Sequence, residues 1–125
     1  MLRKLFLSII VIGASISFVS AKEIGEFSNF RITPTETRTG YLNKYNRSNH
    51  VINLEPSRNL KMNVKATLVN SNGDDRSDVY YPTCGFRYTY SNWASPGYIY
   101  ALDLARQNWW DTAAGITGSW SPDEY

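Results

Sequence analysis

One cysteine and one histidine are all the chain has of either residue, and that scarcity closes several routes at once. Cys84 cannot form an intrachain disulfide, so stability has to come from packing. One Cys and one His cannot complete a four-ligand zinc site within a chain. A Ser-His-Asp or Cys-His arrangement would have to recruit His50, and no nucleophile-elbow signature flanks it. Charge of one sign is missing too. The formal +2 resides in Arg3 and Lys4, and over residues 22–125 eleven basic residues balance eleven acidic ones. A neutral chain has no electrostatic footprint for nucleic acid or an anionic membrane, so no nucleic-acid partner is expected. No Gly-rich phosphate loop and no dinucleotide fingerprint occurs, so no cofactor is expected. NSNGDDRSD (70–78) is oxygen-rich, but it lacks the spacing of an EF-hand and reads as a solvated hairpin turn, so no metal is expected. Glycoside hydrolysis needs two carboxylates across a cleft of defined width, which so small a domain rarely builds. The chain is therefore expected to be no enzyme, with no catalytic residue.

Long apolar runs are absent after residue 21. Before it, MLRK and the uncharged run LFLSIIVIGASISFV lead to VSA, with Val19 and Ala21 at the small-residue positions of a cleavage site. This is the pattern of a bacterial signal peptide, residues 1–21, cut between Ala21 and Lys22. The run is short for a membrane span of about 20 residues. The expected product is a secreted, extracellular single domain, residues 22–125. Cys84 is then either a small buried apolar residue or an exposed thiol through which two copies could dimerise.

What the domain has in quantity is Tyr, Thr, Val, Ile and Asn in short runs between Gly and Pro, and no window carries a helical stripe. In residues 60–69, Leu60, Met62, Val64, Ala66 and Leu68 alternate with Lys61, Asn63, Lys65 and Thr67, which predicts a strand with one buried and one wet face. Asn72-Gly73 then signals a turn. Shorter strands are expected over 27–33, 39–43 and 50–55. GFRYTY and YIYALDLA read as a hairpin around SNWASPG, pairing Tyr90 with Tyr98, Tyr88 with Tyr100 and Phe86 with Leu102, with Arg87 diagonal to Asp103. Six or seven short strands punctuated by turns predict an all-β fold, a small antiparallel β-sandwich or, alternatively, a small β-barrel.

Three of the four tryptophans fall in NWWDTAAGITGSWSP, residues 108–122. Read as one strand, its even positions place Trp110, Ile116 and Trp120 on the core face and point Trp109 away. Trp93, in the middle of SNWASPG, either caps the Tyr90–Tyr98 pair or stands in water. Trp93 and Trp109 are the candidate binding residues. Trp120, Trp110, Ile116, Tyr88 and Tyr100 are the candidate structural core.

YIYALDLARQNWW and the ending Gly118-x-Trp120-Ser121-Pro122-Asp123 resemble an uncharacterised family of small secreted proteins of Gram-positive bacteria that close on G-x-W-S-P-D. The likeness covers roughly the last 30 residues, Cys84 departs from it, and it implies no catalytic residues. The architecture is similar, more loosely, to lactococcin-type β-sandwich bacteriocins. A single exported domain with no catalytic domain attached suits an effector, so the expected function is a non-catalytic protein acting by contact at the cell envelope, bacteriocin-like or toxin-like, whose partner is an envelope component of a target cell. The alternative is a module that binds a cell-wall glycan through exposed aromatics.

Overall fold

The computed structural model describes residues 22–57, 62 and 64–125. The expected signal peptide and the positions Leu60, Lys61 and Asn63 lie outside the described residues. Eight strands follow in order: β1 Gly25–Ile32, β2 Thr37–Arg38, β3 Leu42–Asn43, β4 His50–Leu54, β5 Val64–Asn70, β6 Arg87–Tyr90, β7 Ile99–Arg106 and β8 Ala114–Ser121. The described residues contain no helix. One antiparallel sheet runs β1-β8-β4-β6. In the other, β7 pairs along its length with β5, and β2 and β3 follow one another along its second edge. The two sheets stay open and sandwich-like, so the class is all-β and the barrel alternative falls away.

The alternation in the sequence explains how the layers meet. Met62, Val64, Ala66 and Leu68 all lie in the core cluster, beside Leu102 and Leu104 of β7 in the same sheet and together with Ile52 and Leu54 of β4 and Ile116 and Trp120 of β8 from the other. Trp120 is 2% exposed. The second face of β5 is drier than the alternation suggests, with Thr67 and Val69 buried and Lys65 half-buried. Thr67 lies opposite Asp103 in the register, and Arg38 from the neighbouring strand forks onto that carboxylate at 2.7 and 3.0 Å. Asn72-Gly73 makes the expected turn. Gly73 sits at φ +83°, where a side chain would be strained, and the Asn70 side chain accepts from the Asn72 and Asp74 amides. Residues 74–80 then return beside β5, bridging Val69 to Asp75 and Ala66 to Tyr80.

Two expectations are overturned. β6 and β7 are not a hairpin. β6 pairs with β4, Ile52 opposite Tyr88 and His50 opposite Tyr90, while β7 belongs to the other sheet. The segment between them crosses from sheet to sheet, held by Trp93 N–H to the Arg76 carbonyl and Gly97 N–H to the Lys44 carbonyl. Period two says which residues share a face, and it leaves the neighbouring strand open. Tyr100 is in the core as expected, but Tyr88 is a half-buried rim residue, Phe86 and Tyr98 are exposed, and Arg87 donates to the Tyr125 carbonyl. The second correction is Trp110. β8 begins only at Ala114, so Trp110 precedes the alternation and stands 62% exposed, whereas Ile116 and Trp120 are buried.

The closing residues form a clasp. Gly118 lets β8 approach β4 so closely that a β-carbon there would collide with the Asn53 carbonyl. Trp120 fills the core, and the Ser121 hydroxyl accepts from the Asp123 amide. The Lys44 ammonium donates to the Pro122 and Ser48 carbonyls and pairs with Asp123 at 3.1 Å, both side chains having no exposure. Asp123 also accepts from the Tyr45 amide at 2.6 Å and from the Ser48 hydroxyl at 3.3 Å. The G-x-W-S-P-D ending is thus accounted for by packing and by closure of the 44–48 loop.

Candidate functional site

The tip between β7 and β8 presents two tryptophans to solvent on an ordered turn. The Asn108 amide donates to the Asp111 carboxylate at 2.8 Å, and the Asp111 amide to the Asn108 carbonyl at 3.1 Å. Arg106, almost buried, braces the turn from below through the Thr112 carbonyl at 2.6 Å and the Asp111 carboxylate at 3.9 Å. Trp109 is 82% exposed and Trp110 62%, their rings edge to face with centroids 5.6 Å apart. Trp109 points outward as expected. Its partner Trp110 was hidden by the assumption that the strand ran unbroken.

Trp93 lies at the opposite end. Its amide binds the Arg76 carbonyl, on the chain returning from the 71–73 turn, near where β7 starts. Trp109 follows the far end of that eight-residue strand, and such a strand spans roughly 25 Å. Trp93 and Trp109 therefore do not form one patch. Trp93 caps no Tyr90–Tyr98 pair either, because Tyr90 stacks on Tyr80 and Tyr98 is 66% exposed. Beside Tyr98 opens a cleft of about 310 Å³ between the 71–73 turn and the start of β7. Arg76 and Tyr98, which line it, were not legible as site residues, because their placement depends on the crossing of residues 91–98 between sheets.

The rim of the sandwich carries an aromatic ladder. Tyr80 and Tyr90 stack at 4.1 Å, Tyr90 and Tyr88 at 5.4 Å, and Phe86 tilts onto Tyr88 at 6.4 Å. His50 sits at its inner end, fully buried, 5.8 Å from the Tyr90 ring. The Asn92 amide is oriented by the Ala94 N–H and the Ser48 carbonyl, so it donates to His50 Nδ1 at 3.1 Å and leaves the ring hydrogen on Nε2. Nε2 has no hydrogen-bond partner among the described residues. Burial, and then the nearby Lys44 charge, pull the imidazole pKa down to about 3, so the ring is neutral near neutral pH.

That depression has a consequence for acid stability. The unfolded chain takes up the His50 proton near pH 6.5 and the folded chain only near 3. Between those values the unfolded state binds more protons, so stability is full above 6.5 and falls as pH drops toward 3. The slope from this one group approaches about 1.4 kcal/mol per pH unit. Urea unfolding across that range should show the fall in wild type and a flatter profile in His50→Gln.

Cys84 is half-buried against the core, its sulfur 3.9 Å from that of Met62, and burial pushes its thiol pKa up. Among the described residues no group of three or more His, Cys, Asp or Glu side chains is placed to hold a metal ion. Asp103 is paired with Arg38, and Asp111 serves the tryptophan turn. The fold and site together define an all-β domain with exposed aromatics at both ends. Comparison of the chain with protein-family models, curated proteins and solved structures finds no match.

Proposed function

We propose that this is a secreted, non-catalytic bacterial protein that acts by contact at a cell envelope, as a bacteriocin-like or toxin-like effector whose contact surface is the Trp109–Trp110 tip. One observation carries the reading. Two adjacent indoles are held in water by a turn that hydrogen bonds from Asn108, Asp111 and Arg106 brace. Exposed tryptophans do little for folding, yet tryptophan is among the side chains that most often dominate binding energy, at about 2 kcal/mol or more each. A braced turn also loses little conformational freedom on binding.

The test is a growth-inhibition and cell-binding assay with residues 22–125. Trp109→Ala combined with Trp110→Ala should leave stability within about 0.5 kcal/mol per site, as exposed substitutions do, and should abolish inhibition and binding. A double variant that melts normally and still inhibits growth would remove the tip from the account. The second reading is a cell-wall glycan-binding module. It is favoured by the polar cleft beside Tyr98 at the other end of the domain.

A further inference from the structure

The cleft beside Tyr98 has a chemistry of its own. Its volume, about 310 Å³, sits at the lower limit of ligand pockets, which run from about 300 to 1,000 Å³, and suits a small ring system. Its walls carry the polar residues Ser71, Asn72 and Ser95, the aromatic Tyr98 and one cation, Arg76. No carboxylate lines it, although Asp74 and Asp75 belong to the adjoining chain. Arg76 is half-buried and pairs with no acidic side chain among the described residues, its Nη1 donating to the Asp75 carbonyl at 2.8 Å. An unpaired guanidinium at the wall of a cleft without carboxylates is a ready counter-ion for an anionic ligand. Its planar fork matches a carboxylate through two parallel charge-assisted hydrogen bonds.

The cleft is also built before any ligand arrives. The Tyr100 hydroxyl donates to the Ser95 carbonyl at 2.7 Å, tying one wall to the core. Burial raises the Tyr100 phenol pKa, against the opposing pull of its hydrogen bond to Ser95 and of the Arg76 and Arg47 charges. The opposite wall is the 71–73 turn, closed by Gly73 N–H to the Asn70 carbonyl at 3.0 Å and by the Arg76 N–H to the Leu68 carbonyl at 2.7 Å. Tyr98, 66% exposed, offers a flat amphipathic ring at the rim, on which the apolar face of a sugar can lie. A groove of similar size on the outer face of the first sheet, over Gly118, carries Glu26 and Glu55 and would repel an anion.

We infer that this cleft binds a carboxylate-bearing saccharide, with Arg76 as its counter-ion and Tyr98 as its stacking platform. The inference rests on the glycan-binding reading and is independent of the tryptophan tip. Titration of isotope-labelled residues 22–125 with tetragalacturonate, and with its methyl ester, separates charge from ring shape. The acid should shift the amide resonances of Ser71, Asn72, Arg76, Ser95 and Tyr98, and the ester should bind at least tenfold more weakly. Arg76→Gln should weaken the acid at least tenfold and leave the ester unchanged. Tyr98→Ala should weaken both, and Trp109→Ala neither. Equal binding of acid and ester would overturn the counter-ion inference and spare the glycan reading. Acetate shifting the same resonances as strongly as the oligomer would reduce the cleft to a plain anion site and overturn the inference. Binding of neither acid nor ester would overturn both.

Discussion

Trp120→Ala is expected to lower stability by about 3–5 kcal/mol, the range for truncating a large buried aromatic. A domain of this size holds about 5–15 kcal/mol in total, so much of the protein should fail to accumulate. The indole lies on β8 between β1 and β4, opposite Ile52 and Gly25. A β-carbon at Gly25 would stand 3.2 Å from its ring nitrogen, so the neighbouring backbone is already close. Two hydrogen-bonded sheets cannot collapse far into the space the ring leaves, which puts the cost toward the upper part of the range. Trp120→Phe should recover much of the loss. Trp110→Ala, at a position of the same parity ten residues earlier, should stay within about 0.5 kcal/mol of wild type because its ring is in water. Thermal and urea unfolding of the three variants measures the contrast.

The second large effect belongs to the Lys44–Asp123 pair. Removing one partner of a buried ion pair costs about 3–5 kcal/mol, since the other charge stays buried and uncompensated. Asp123→Ala should be the worse single change. It strands the ammonium among carbonyls and also takes the acceptor from the Tyr45 and Asn46 amides and the Ser48 hydroxyl. Burial already lowers the Lys44 pKa, and without Asp123 it should fall further. In that variant the unfolded chain then binds the extra proton, so stability should rise as pH climbs toward 10.5. Lys44→Met should be milder, and combining Lys44→Met with Asp123→Ala should cost less than the sum of the two. Additive losses, with no dependence on pH, would show that the two charges do not depend on one another.

Most of the strand content was readable, and the reason is physical. Val64, Ala66 and Leu68 alternate with more polar residues because one face of β5 meets a core, and that demand leaves a period-two trace. Asn72-Gly73 was readable because a positive φ restricts the residue type. Strand neighbours left no such trace. Phe86, Tyr88 and Tyr90 share a face whether β6 pairs with β4 or with β7, so the hairpin reading fitted the pattern and was wrong. Trp110 was misplaced for a related reason: the Asn108–Asp111 turn ends one pattern before Ala114 begins another, and alternation runs through such a break unnoticed. The C-terminal motif was visible as a motif, but its meaning needed the partner residue Lys44, seventy-nine positions away.

The central claim is that Trp109 and Trp110 are the surface through which the protein meets an envelope. The most direct measurement is acrylamide quenching of tryptophan emission while the protein co-sediments with isolated Gram-positive cell envelopes. It is made in a Trp93→Phe background, so that the exposed indoles are Trp109 and Trp110 and the buried one is Trp120. The account predicts sedimentation together with a marked loss of quenching, because bound indoles are shielded. Sedimentation with quenching as strong as in the free protein, or no sedimentation at all, would contradict it.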